Sequence, residues 1–379
     1  EGGAEKKRRN LSLDVKPDLW FNRVDGGHLG LSVGLGKRRG RIRLGSLGAY
    51  NTSLKRWAFA GDLTGRWGEH RRGFTTVSAF RGTDVRYRSN LYNRLTVSSQ
   101  QPFGAEDYFD YFWNERVRAR AGYRFRRLDI SLSGGVNIEQ HASVAKTTDW
   151  HLFGDVDVQR PNPMVDDGYL RSGTLRMEWK GEEDGPAPLF GQRRVVLEVE
   201  HTRTGWGSDF EFTQFRGVVD WRFETFLKRR FLPNVLDVRL VGSTFTGTLP
   251  LQRYGILDAW LDGFSTFGAF RSRLDRPYEG ERLLAIFWEH NFRTVPFELV
   301  GWRWMAERGI GVILHGAHGR TWISDGALAS LAHIPQYQDE VHHELGLSVN
   351  GLFKLFRVNF TRRLDAPEST ISLGLARIF

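Results

Sequence analysis

Residues 113–126 read WNERVRARAGYRFR, with arginine at 116, 118, 120, 124 and 126. Val117, Ala119, Ala121, Tyr123 and Phe125 stand between them. This alternation constrains the fold more than any other feature of the chain. On a helix, neighbouring side chains lie about 100° apart, so the arginines would ring the cylinder and leave no apolar face. On a strand, successive side chains point to opposite faces. One face then carries Arg116, Arg118, Arg120, Arg124 and Arg126, and the other carries the apolar set.

The pattern recurs. WAFAGDLTGRW (57–67) sets Trp57, Phe59, Leu63 and Trp67 against Asp62, Thr64 and Arg66. RVVLEVEHTR (194–203) sets Val195, Leu197 and Val199 against Glu198 and Glu200, and LFRVNFTRR (355–363) sets Phe356, Val358 and Phe360 against Arg357, Asn359 and Thr361. Sixteen strands are expected, near 11–21, 28–36, 40–49, 55–67, 74–87, 112–126, 127–140, 169–181, 191–204, 209–224, 234–248, 282–294, 308–322, 340–350, 354–363 and 369–379. Many are longer than the ~5–6 residues usual in soluble sheets, and match the ~9–11 that a tilted membrane strand needs. Long connections such as 88–107 alternate with short ones such as GKRRG (36–40), as in a hairpin barrel with long outer loops and tight inner turns.

The two faces need two surroundings. If both met water, the apolar rows would be exposed. If both were core, the unpaired arginines would cost several kcal/mol each. A closed barrel in lipid satisfies both, with apolar rows on hydrocarbon and charged rows lining a wet lumen. An arginine on the lipid face would cost ~2–4 kcal/mol at the midplane, which accounts for the strict alternation. A soluble β-sandwich or propeller explains alternation, but not such long strands or such dense charge on one face. The expectation is an all-β transmembrane antiparallel barrel of about 16 strands over 11–379, preceded by a charged arm over 1–10. The lumen-lining basic row is Arg116, Arg118, Arg120, Arg124 and Arg126.

Composition narrows the rest. There is no cysteine among the 379 residues, so disulfides and thiol metal sites are excluded. No apolar run approaches the ~18 residues of a membrane helix. The net charge of +10 suits an anionic partner, whether lipid, nucleic acid or an acidic solute. No signal peptide is visible before EGGAEKKRRN, so a mature protein or a fragment is expected. The tryptophans at 20, 57, 67, 113, 179, 288, 302 and 304 read as interfacial girdles.

Other constellations are weaker. VHHELG and ILHGAHG bring His342, His343, His315 and His318 to neighbouring strands, where Glu344 could complete a metal site. Adjacent His342 and His343 must face opposite ways, however, and His315 and His318 differ in parity. No Ser–His or Asp–His motif of a barrel hydrolase is visible, so no catalytic residue, metal or cofactor is expected. GLGKRRGRIR lacks the spacing of a phosphate loop and reads as a turn. Nucleic acid is not an expected partner, because its groove would need the arginines on an exposed face.

The chain ends SLGLARIF, in which Ser372, Gly374 and Phe379 fit the closing-strand signal of bacterial outer-membrane barrels, while Arg377 departs from it. FNRVDGGHLGLSVGL (21–35), RPYEGERLLAIFWEHNF (276–292) and ELGLSVNGLFKLFRVNFTRRL (344–364) resemble a Bacteroidota group of outer-membrane proteins of unknown function. Members of that group often carry a carboxypeptidase-like regulatory domain, and the group is similar to the BamA/TamA assembly-factor superfamily. The resemblance implies sixteen strands, with a long sixth outer loop folded into the lumen and five strands after it. Residues 249–282 hold that place. The family's loop carries Arg-Gly-aromatic; here Gly268, Ala269 and Phe270 precede Arg271, and Arg276, Pro277, Tyr278 and Glu279 follow. The partner strand's Asp-Gly is replaced by Ala317, His318 and Gly319. The expected loop anchor is Arg271, Arg276, Tyr278 and Glu279, with Arg276 foremost, and Glu289 or Glu344 as counter-charge. The implied function is insertion or export of protein or lipid through a lateral seam, with a plugged lumen. A passive or anion-selective channel is the alternative, and a barrel-embedded hydrolase comes third. The implied partners are outer-membrane lipid and lipopolysaccharide, a client, and a periplasmic domain upstream.

Overall fold

The computed structural model describes residues 12–36, 40–86, 89, 91–151, 153, 158–180, 193–226, 233–261, 266–274 and 276–376. The charged arm and Phe379 lie outside the described residues. One antiparallel sheet of sixteen strands runs in chain order. Its members are β1 (Ser12–Asn22), β2 (Gly26–Gly36), β3 (Ile42–Asn51), β4 (Arg56–Trp67), β5 (Gly73–Val85), β6 (Tyr111–Phe125), β7 (Ile130–Ser143) and β8 (Gly168–Trp179). Then come β9 (Arg194–Thr202), β10 (Phe212–Glu224), β11 (Val235–Gly247), β16 (Arg282–Arg293), β17 (Gly311–Trp322), β18 (His342–Leu352), β19 (Phe356–Arg363) and β20 (Ser369–Leu375). The intervening connection holds four short strands: β12 (Gly255–Leu257), β13 (Ala259–Trp260), β14 (Phe270–Leu274) and β15 (Tyr278–Gly280). Among the described residues, no ladder joins β1 to β20.

Register places the arginine row. Arg116, Arg118 and Arg120 stand opposite Glu139, Asn137 and Gly135 of β7, and Arg124 stands opposite Ser131. The same face carries buried Asn137, Glu139, Glu200, Asp220, Glu289, Glu344, Arg357 and Asn359. The opposite face leaves Val117, Leu132, Val136, Ile138, Leu175, Leu197, Phe215, Leu347 and Phe360 exposed. This is the reverse of a soluble sheet, where the apolar face is the buried one. No helix among the described residues is long and apolar enough to cross a membrane.

The connections sort by end. Residues 86–110, 144–167, 248–281 and 323–341 leave one end, the loop end, and the links 68–72, 126–129 and 353–355 close the other, the turn end. In the last of these, Phe353 and Lys354 both have positive φ (50° and 64°), the backbone of a tight hairpin that keeps the right-handed twist. The connection 294–310, between the strands expected near 282–294 and 308–322, is not a tight turn. There Pro296 starts α2 (Val295–Leu299), and α3 (Arg303–Glu307) follows, with Gly301 at φ 76° between them. Proline is tolerated in a first helical turn, and glycine takes the left-handed backbone that ends one.

One stretch breaks the alternation. In β16 both faces are apolar: Leu283, Ala285 and Phe287 are buried on the polar side of the sheet, and Leu284 is exposed on the other. With Val241 of β11 and Ala317 of β17 they form a seat for Leu257, Phe270 and Tyr278 from the 248–281 connection. A second cluster joins Tyr108, Phe109, Tyr111 and Trp113 to Ile256, Ala259 and Leu261. The long connection is thus built into the sheet at one side and into residues 108–113 at the other.

Candidate functional site

The 248–281 connection is held on the polar face by charge as well as by its apolar seat. β14 pairs with no sheet strand, yet its first residues hydrogen-bond to two of them. The Arg271 guanidinium, buried, donates from Nη2 to Glu289 Oε1 of β16. Arg357 Nη2 of β19 donates to the same oxygen at 2.8 Å. The backbone N–H groups of Arg271 and Ser272 each donate to the Glu344 carboxylate of β18 at 2.9 Å, and Ser272 Oγ does so at 2.7 Å. Two buried cations therefore meet two buried carboxylates, the arrangement a desolvated charge needs. His342 adds a polar clasp, with Nε2 2.9 Å from Ser272 Oγ and Nδ1 3.0 Å from the Tyr278 hydroxyl.

A second clasp holds the root of the connection. Arg253 donates to Glu200 Oε2 of β9 and Glu139 Oε2 of β7, each at 3.0 Å. Burial works against its charge, but the two carboxylates outweigh it and raise its pKa. Gln252 Nε2 lies 2.8 Å from His141 Nδ1 beside it.

A third cluster closes the loop end. The Asp110 carboxylate accepts from Arg23 and Arg86, each at 2.6 Å, and from Arg160. Burial alone would raise its pKa; the three guanidinium groups drive it far below the usual carboxylate range. Arg86 also reaches Glu279 Oε2 of β15 at 2.6 Å. Glu279 is pushed up by burial, but Arg86 and His333 bring it down to about 2.

The expected residues fall as follows. Arg271, Glu289 and Glu344 come together. Arg276 does not reach either carboxylate; it is one-third exposed and lies 3.9 Å from Glu106, because its chain has already turned back toward the loop end. Tyr278 faces His342, and Glu279 faces Arg86 rather than the sheet. Arg116 bonds Asp84 at 3.0 Å, Arg118 bonds Asn137 at 2.5 Å, and Arg120 bonds Ser133 at 2.7 Å. Arg124 and Arg126 line a cavity described below. Ser372 Oγ accepts from Asn359 at 3.2 Å, and Gly374 stands opposite Arg357. The histidines divide by face: His315 and His342 are buried on the polar side, whereas His318 and His343 meet each other at 2.9 Å on the apolar side. Ala317 and Gly319 underlie the apolar seat. Arg253, Arg86 and Asp110 carried no local signal in the sequence, since their partners lie far along the chain.

Between the polar faces of β1–β9 lies a cavity of about 1490 Å³. It runs from Glu200 and Arg253 to Arg41, Arg71, Arg72 and Asp129 at the turn end.

No known protein family matches the chain, and no curated protein does. Among solved structures it is similar to BamA from Haemophilus ducreyi lacking POTRA domains 1–3, at 9% identity and a TM-score of 0.53, over 96% of this chain and 70% of that one. CdiB from Acinetobacter baumannii (9% identity, TM-score 0.41, 96% of this chain and 65% of that one) aligns more loosely. So does CdiB from Escherichia coli (11%, 0.42, 97% and 67%). The likeness to BamA shows a shared fold.

Proposed function

We propose that this chain is an outer-membrane β-barrel of the assembly or translocation type. It would insert or export a protein or lipid client through a seam between β1 and β20, with residues 248–281 plugging the lumen. The observation that carries the reading is the seating of that connection by Arg271 on Glu289 and Glu344, inside a sheet whose apolar face is the exposed one. A segment that crosses the polar face and is bound there by desolvated ion pairs is suited to hold a lumen shut. The absence of a β1–β20 ladder among the described residues supports the seam. The apolar face would meet lipid, and the loop-end rim lipopolysaccharide. A periplasmic domain upstream would recruit the client, as in the Bacteroidota group the sequence resembles.

Conductance in planar bilayers tests the plug. The intact protein is expected to stay closed, and a version lacking 260–280 to open. The chain's lack of cysteine allows a test of the seam. Cysteine pairs placed along Ser12–Asn22 and Ser369–Leu375 should cross-link and abolish client insertion, with reduction restoring it. The basic cavity favours a second reading, an anion-selective channel. A large, steady, anion-selective current through the intact protein would decide for the channel.

A further inference from the structure

We propose that the cavity under β1–β9 is a binding site for an extended acidic polypeptide segment, one with carboxylates at alternate positions. Its wall carries thirteen lysine and arginine side chains against six carboxylates, an excess of seven. The acids are largely taken. Asp14 pairs with Lys16 at 2.8 Å, Glu198 with Arg176 at 3.0 Å, Glu178 with Arg176 and Arg194, and Glu200 with Arg253 at 3.0 Å. Six arginines nearer the turn end are left over: Arg41, Arg43, Arg66, Arg72, Arg124 and Arg126. None has an ion-pair partner among the described residues, and Arg72 Nε is buried with no hydrogen-bond partner. Like charges brought together without counter-ions raise each other's energy, and a polyanion relieves that repulsion.

The chemistry of the wall selects the polyanion. Apart from glycine, its apolar side chains are Leu35, Ile42 and Phe74. An acyl chain would find no apolar wall, so an anionic lipid gains nothing by entering. A nucleic acid would find a single aromatic ring where base stacking needs a series. The cations are almost all arginine, whose planar fork binds carboxylate in two parallel hydrogen bonds. Along β6 and just past it, Arg118, Arg120, Arg124 and Arg126 take every second position but Gly122, neighbouring positions lying about 7 Å apart. Arg43, Thr64, Thr76 and Arg120 continue the rows across β3 to β6. An extended peptide presents alternate side chains at the same period, so an acidic strand lying along β6 meets a guanidinium at every alternate position except opposite Gly122. The site stands whether or not the seam opens.

The test uses the full chain in nanodiscs and a fluorescent twelve-residue peptide of alternating serine and glutamate, followed by anisotropy. Saturable binding is expected, and the Arg66→Ser, Arg124→Ser double variant should weaken it about tenfold, as loss of two charge pairs predicts. A second pair, Arg43→Ser with Arg126→Ser, should behave alike, and both variants should keep the heat-modifiable gel mobility of the parent. A peptide of the same composition with its glutamates in one block should bind several-fold more weakly. Inorganic polyphosphate of equal charge that displaces the peptide with equal potency would overturn the assignment. So would equal binding of the two peptides, or binding untouched by either variant. Conductance is read separately, so a failed plug and a failed peptide site are distinguishable.

Discussion

In the half of the molecule from β11 to β20, Arg271 of the seated segment and Arg357 of the sheet beneath it share Glu289, with little room for water. Arg66 and Arg124, in the half from β1 to β9, project toward an open cavity with no ion-pair partner among the described residues. Arg357 sits on the same polar face and in the same alternation as Arg66 and Arg124, so local pattern does not distinguish them. What differs is what lies above. Where the 248–281 connection covers the face, every charge must be matched, because an unmatched buried charge costs several kcal/mol. Where the face stays wet, charges can remain in excess at little cost. Covered charge is therefore committed to structure, and uncovered charge is available for binding.

Removing a counter-charge from the covered half should give the largest effect. Glu289→Ala leaves Arg271 and Arg357 buried together without the carboxylate they share, and should destabilise the protein by about 3–5 kcal/mol. Urea unfolding followed by tryptophan fluorescence measures it, and protease cleavage within 255–280 should appear well before global unfolding. A loss below about 1 kcal/mol would mean the face there is wetter than its burial implies.

Acid should open the covered half first. The Glu279 pKa is depressed by Arg86 and His333 to about 2 from an ordinary 4.5, against the upward pull of burial. For a depressed carboxylate, the stabilisation is present above the unfolded value and is lost as pH falls through the folded value. About 3 kcal/mol should therefore disappear between pH 4.5 and 2. Protease sensitivity of 86–110 and 248–281, followed through that window, reports it. Glu279→Gln should abolish the pH step, and a variant that keeps the step would place its origin elsewhere.

The regions were unequally legible for the same physical reason. The β6 strand could be read because one face is charged and the other apolar, and period two is local. β16 could not be read that way. In RLLAIFWEH both faces are apolar, since Leu283, Ala285 and Phe287 serve a seat on the inner side that depends on a segment elsewhere. The position of the 248–281 connection followed from the resemblance, but its foremost anchor did not. Arg276 stands in the more suggestive motif, yet Arg271 is the residue beside Phe270, and Phe270 is the one the seat buries completely. The cluster at Asp110 was invisible because Arg23, Arg86 and Arg160 lie up to 137 residues apart and meet only once the loops fold. The helices at 295–307 were not legible, because that stretch is a connection between the strands expected near 282–294 and 308–322, and five-residue helices are too short to show a period.

The seat offers a smaller test that leaves charge alone. A Cβ at Gly319 would lie 2.8 Å from Phe270 Cζ and 2.8 Å from Ala285 Cβ, and the alanine cannot swing away. Gly319→Val should therefore cost about 2 kcal/mol through overpacking, with the sheet intact and the segment partly lifted. The expected readout is a rise in flickering conductance over the parent with unchanged gel mobility. Conductance identical to the parent would show that the seat yields without moving the segment.

The smallest effect is expected in the open half, and it separates the two kinds of charge. Arg124→Ser removes an exposed guanidinium with no ion-pair partner among the described residues, so stability should change by less than about 0.5 kcal/mol. Relief of repulsion from Arg126 and Arg72 would make the sign slightly favourable at low salt, fading as salt rises above about 0.15 M. Unfolding midpoints at two salt concentrations measure this. If Arg124→Ser destabilised the protein as Glu289→Ala should, the open half would be covered too, and its arginines would be structural rather than available.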